Sequence, residues 1–157
     1  MTEQSDLHYA NTPDGTLNPG EERLTSFQAD RATYLRDHAT MAAIAMGLGM
    51  VILWAIGNPH VWTGAIGGLA AVALRGWYVA SDELAQRWDL TNHRLLGPGG
   101  RSITLGQVQE IKTLMSAVQV VTRTGGKHLI KYQADSAATK AQIEQAKFNQ
   151  PHAGDPT

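Results

Sequence analysis

The chain of 157 residues has no cysteine, only two phenylalanines and few charges of either sign. Without cysteine there is no disulfide, thiolate zinc site or cysteine nucleophile. With 13 Lys and Arg against 14 Asp and Glu, there is no cationic surplus to hold a nucleic acid. Catalytic and metal-binding patterns are missing too. The six histidines, His8, His38, His60, His93, His128 and His152, form no i, i+4 pair and have no carboxylate at ligand spacing, so no metal or cofactor is expected. Gly97-Pro98-Gly99-Gly100-Arg101 has the glycines of a phosphate loop without its Lys-Ser/Thr. Asp82 and Glu83 are adjacent, and adjacent residues on a strand point to opposite faces, so they make no acid-base dyad. The chain reads as noncatalytic.

What is present is apolar length. Residues 39–57 run for 19 positions without a charge, about 28 Å of helix at ~1.5 Å per residue, close to the roughly 30 Å of a bilayer's hydrocarbon core. After Asn58-Pro59-His60, residues 61–74 stay uncharged, and residues 76–80 extend the run past Arg75. Two transmembrane helices over 39–57 and 61–80, joined by a turn over 58–60, are expected. The mean hydropathy of −0.23 hides them by averaging an apolar middle with polar ends.

Arg23, Arg31 and Arg36 precede the first run, Arg75, Arg87 and Arg94 lie at or after the second, and the connecting turn has no cation. Because cations resist translocation, a multi-pass protein of the bacterial cytoplasmic (inner) membrane with both termini in the cytoplasm is expected. Trp54 and Trp62 beside the turn, and Trp77 and Tyr78 at the other end, match interfacial aromatic belts. Arg75 can snorkel to the headgroups or pair with a carboxylate on another subunit. Gly47, Gly49, Gly64, Gly67 and Gly68, helped by Ala43, let helices approach closely, either each other or a partner. These glycines and Arg75 are the candidate helix-packing and partner residues. The expected partners are the bilayer and other integral membrane subunits, or a second copy of the chain.

Ahead of the hairpin, residues 1–23 read as a disordered acidic tail without the apolar core of a cleavable leader. Leu24, Phe27, Arg31, Tyr34, Leu35 and His38 recur at helical spacing, so an amphipathic interfacial helix is expected over 24–38. After the hairpin, the texture over 81–148 is that of a small domain of short strands. A strand is expected over 83–91, then a turn at Asn92-His93-Arg94, apolar Leu95-Leu96, a reversal at Gly97–Gly100 and a strand over 102–105. Val108 and Ile111 read as a short helical turn or an irregular strand. Strands over 118–124 and 127–132 are joined by Gly125-Gly126 as a two-residue hairpin, with Val121 opposite Ile130 and Arg123 opposite His128. Asp135 or Ser136 caps a helix over 136–148 with Thr139, Ile143 and Ala146 on its packing face, and 149–157 is a loose tail.

The run Trp88-Asp89-Leu90-Thr91-Asn92-His93-Arg94-Leu95-Leu96, then Ile103-Thr104-Leu105 with Val108 and Ile111, then the 118–132 hairpin and the Asp135-capped helix, resembles the bacterial pleckstrin-homology-like domains of small integral membrane proteins. The likeness covers roughly residues 40–147. It implies an α+β membrane protein in which a two-helix hairpin precedes a small antiparallel sheet capped by a C-terminal helix. The segment between Ile111 and Val118 is shorter than in many members, so a truncated sheet is expected. Two functions fit: an accessory or assembly subunit that binds or stabilises a larger membrane complex, and a sensor of lipid headgroups or envelope state. For the second, the candidate headgroup contacts are His93, Arg94, Arg101, Lys127 and Lys131, with Arg123 nearby.

Overall fold

A computed structural model describes residues 16–150. The acidic tail expected over 1–23 falls outside those residues up to position 15, as does the tail expected over 149–157 beyond Gln150. The described residues form a mixed α+β fold with three α-helices and two antiparallel sheets. The chain divides into two units, Arg31–Leu84 and the remainder on either side of it.

The first unit is a pair of helices, α1 (Arg31–Ala55) and α2 (Trp62–Ala85), joined by a turn in which Gly57 adopts positive φ. By length and composition α1 is, among the described residues, the one helix apolar enough to cross a membrane. The sequence reading expects two spans. α2 is nearly as long, but Arg75, Trp77, Tyr78 and its glycines dilute its apolar content. The pair packs where side chains vanish: Gly49 meets the backbone of Gly64, and Gly68 meets the backbone of Ala45, leaving no room for a Cβ at any of these glycines. Further along, the Tyr34 hydroxyl donates to the Gly76 carbonyl at 2.6 Å, and the His38 ring lies 4.0 Å from the Tyr34 ring. The outward faces are apolar and bare, as at Leu48, Ile52, Trp54, Leu74 and Trp77.

The second unit starts as a strand, not the helix expected. Residues expected to start an interfacial helix form strand β1 (Arg23–Gln28), and the helix starts only at Arg31. The 3–4 spacing of Leu24, Phe27 and Arg31 imitates a helix. Pairing with a strand from beyond the helical pair overrides it, because extended backbone lets Phe27 reach the core while β1 exchanges hydrogen bonds with β2. β2 (Arg87–Thr91), β3 (Arg94–Gly97) and β4 (Arg101–Thr104) complete a sheet of order β1-β2-β3-β4. The expected start of β2 at 83 moves to Arg87 because α2 continues to Ala85. A single 3-10 turn, Leu105–Gln107, leads into β5 (Val108–Leu114), β6 (Ala117–Thr122) and β7 (Lys127–Ile130), the second sheet. The domain is therefore fuller than the truncated sheet expected: β1 supplies a strand from ahead of the helices, and a tight β5–β6 turn occupies the shortened segment.

The β6–β7 register also differs. Val121 pairs with Lys127 and Val118 with Ile130. Thr122 and Gly126 bond to each other through backbone and hydroxyl, and Gly125 takes positive φ, so the connection is longer than two residues. Opening the loop turns Val118, Val120 and Ile130 inward together. They join Phe27, Trp88, Leu90, Leu95, Ile103, Leu105, Val108 and Ile111 in one core spanning both sheets. Helix α3 (Ser136–Phe148) adds Ile143 and Ala146, with Asp135 capping the Ala138 amide at 2.9 Å.

Candidate functional site

The domain has two chemically distinct ends. At the β2–β3 turn, the segment ahead of β1 is clamped to the domain by a buried ion pair. The Glu21 carboxylate, whose side chain is fully buried, receives Arg94 Nε at 2.8 Å and Nη2 at 2.9 Å. Thr91 Oγ1 donates to it at 2.7 Å and the Asn18 amide at 2.9 Å. The Arg94 hydrogen bonds hold the Glu21 carboxyl down at about 2, well below the ordinary 4.5, against the opposing effect of burial. Glu21 in turn raises Arg94. Arg94, a candidate headgroup contact, is thus committed to a structural pair. His93 stands exposed beside it, its carbonyl accepting from the Leu105 amide at 3.0 Å and Gln150 Nε2 at 3.0 Å.

The opposite end is where the chain leaves for and returns from the helices. β1 finishes at Gln28 opposite Arg87, the first residue of β2. β3 ends and β4 begins there as well, at the turn between Gly97 and Arg101. β7 crosses this end. At its close, the Asp30 amide donates to the Tyr132 carbonyl at 2.7 Å and Gln133 Nε2 donates to the Gln28 carbonyl at 3.2 Å, tying it to the β1 side. At its start, the His128 ring meets Trp88 edge-on with centroids 6.4 Å apart. Burial, then the charge of Arg101, pushes His128 below its ordinary value, and Arg101 opens β4 opposite Gly97. Lys127 and Lys131 bracket β7, four residues or about 13 Å apart along an extended chain. Three of the five candidate headgroup residues, Arg101, Lys127 and Lys131, therefore share this exit edge, whereas His93 and Arg94 sit at the other end.

Sequence reasoning missed the buried acids. Asp89 is fully buried on the face of β2 away from Trp88; Ser26 Oγ donates to it at 2.6 Å, Arg87 Nη2 at 3.1 Å, and Arg23 Nε lies at 3.2 Å. A carboxylate between two strand residues that both bury was the available signal for Asp89. Nothing local marks Glu21 as buried, because its side-chain partners Thr91 and Arg94 lie 70 and 73 positions away.

The helix-pair candidates divide. Gly49, Gly64 and Gly68 are spent on the contact between α1 and α2. Gly47 and Gly67 face open space, and Arg75 is exposed. Among the described residues, no group of three or more His, Asp and Glu is arranged to hold a metal ion. Comparison with family models, curated proteins and solved structures finds no match for this chain.

Proposed function

We propose that this chain is a noncatalytic accessory or assembly subunit of the bacterial inner membrane, which holds a pleckstrin-homology-like module at the cytoplasmic surface and binds or stabilises a larger membrane complex. Both helices cross the bilayer in this reading, with Asn58, Pro59 and His60 on the outer side and Arg75 snorkelling to the inner headgroups. The observation that carries it is the division of labour along the helices: some glycines close the pair, while Gly47 and Gly67 leave notches on an otherwise bare apolar exterior. The pleckstrin-homology-like assignment draws support from the strand plan, four antiparallel strands then three with a C-terminal helix capping the core. The helices interrupt that plan after its first strand.

Purification of the full chain from membranes in a mild detergent tests the proposal. A particle heavier than a detergent-bound monomer is expected, containing a stoichiometric membrane partner that is lost when Gly47 and Gly67 are made leucine. A lone monomer with a fully stable domain overturns it.

The gathering of Arg101, Lys127 and Lys131 on one edge favours a second reading, a module that senses anionic headgroups. In nanodiscs, β7 amides would then exchange more slowly over anionic than over neutral lipid. Charge reversal at the three cations would remove the difference, and equal exchange in both lipids sinks this reading.

A further inference from the structure

Among the described residues of the strand domain, the β5–β6 turn and the end of α3 carry the two most exposed large apolar side chains, Met115 and Phe148. Met115 is 83% exposed at the tip, beside Leu114 at 47%. Met115 also holds φ of 53°, in the left-handed region where a tight hairpin ordinarily places Gly, Asn or Asp. Neither burial in the core nor turn geometry accounts for a large unbranched hydrophobe there.

Its position gives a reason. The Ser136 hydroxyl donates to the Met115 carbonyl at 3.0 Å, and the Gln133 amide donates to the Ser116 carbonyl at 2.7 Å. The Gln133 side chain reaches Gln28. Through these bonds the turn is fastened to the point where β1 gives way to α1, on the exit edge of the domain. Lys131, one position beyond the Ile130–Val118 pair, lies next to the strand end that carries the turn. An exposed apolar tip beside a lysine, held where the chain departs toward its most apolar helix, has the make-up of an interfacial anchor: apolar atoms below the headgroups and ammonium groups among them.

We infer that the Leu114–Met115 turn inserts into the membrane interface as a third point of attachment, fixing the strand domain against the lipid surface. The occupant is the acyl-headgroup boundary of the bilayer that holds α1, so the inference rests on α1 crossing that bilayer. A protein partner covering the tip is the competing outcome.

The absence of cysteine makes the test direct, because each introduced cysteine is the only one. The full chain carrying Met115→Cys, Leu114→Cys, Leu48→Cys or His93→Cys is labelled with a nitroxide and reconstituted in phosphatidylcholine–phosphatidylglycerol vesicles. Collision with oxygen is compared with collision with a water-soluble nickel chelate. At positions 114 and 115 the oxygen-to-nickel ratio is expected to exceed that at His93 several-fold and to fall short of that at Leu48, the mid-helix reference. Positions 114 and 115 as open to nickel as position 93, with Leu48 shielded, overturn the inference alone. A Leu48 label open to nickel overturns the membrane reading of α1 and this inference with it. Two tip positions keep the result readable if one variant folds poorly, and shielding from both nickel and oxygen marks a protein cover and also overturns the inference.

Discussion

Arg94 holds Glu21 with two parallel donors, at 2.8 and 2.9 Å, across 73 positions of chain that include both long helices. The pair closes the domain around its insertion, together with the β1 ladder, the Asn92 side chain bonded to Gly20 and Glu22, and the Asp89 carboxylate held by Arg23 and Ser26.

Removing one member leaves a buried charge without its counterpart, which is costlier than never having the pair. Glu21→Gln and Arg94→Ala are each expected to destabilise the strand domain by roughly 3 kcal/mol, toward the low end for buried pairs because Arg94 is partly exposed. Replacing both with leucine is expected to recover part of the loss. Denaturant unfolding in detergent, followed by domain-specific hydrogen exchange, measures all three.

The same pair sets an acid response. Because the folded Glu21 carboxyl titrates at about 2 and its ordinary value is 4.5, the folded state binds fewer protons than the unfolded one in between. Its stabilising contribution is complete above about pH 5 and is lost as pH falls from there toward 2. Thermal midpoints across that range should drop less steeply in Glu21→Gln than in the parent chain.

Asp89 supports a separate network. Asp89→Ala leaves Arg87 facing its cavity, and the buried Arg87 Nε already lacks a hydrogen-bond partner among the described residues. A loss of roughly 2 kcal/mol is expected, against about 1 kcal/mol for Ser26→Ala, which removes one donor and leaves the two arginines in place. Unfolding midpoints of the two variants check the order.

The helix pair makes a sharper contrast. A single methyl at Gly49 or Gly64 meets the facing backbone and must push the helices apart, whereas a methyl at Gly47 or Gly67 meets nothing. Cross-linking between cysteines placed on α1 and α2 should fall in Gly49→Ala and Gly64→Ala and be unchanged in Gly47→Ala and Gly67→Ala.

Tyr34→Phe removes the hydroxyl bonded to the Gly76 carbonyl at 2.6 Å while keeping the ring beside His38. About 1 kcal/mol of helix-pair stability is expected to go with it. Thermal loss of the same α1–α2 cross-link reads the change.

Features decided within a few residues were legible. The Asp135 cap and the Thr139, Ile143 and Ala146 face of α3 lie where a 3.6-residue period puts them, since capping and amphipathicity act over one or two turns. The reversal at Gly97–Gly100 is equally local, with Gly99 and Gly100 both at positive φ. The register of β7 was not legible, because Thr122 bonding to Gly126 widens the loop and a one-residue slip exchanges the faces of a strand. The cation edge was half legible. Arg101, Lys127 and Lys131 were visible as charges, but only the crossing of β7 over the ends of the first sheet brings them together, and only a distant carboxylate withdraws Arg94.

The composition alone settles the long apolar segment of α1, the absence of thiol chemistry and the short-strand texture that follows, since each is a property of residue type summed along the chain. Tertiary structure decides that Arg23–Gln28 is a strand and that Glu21 is a buried anchor. The reason is the same for both: the strand and ion-pair partners lie beyond the helices, and an interaction across 59 positions or more leaves no periodicity in the segment that makes it.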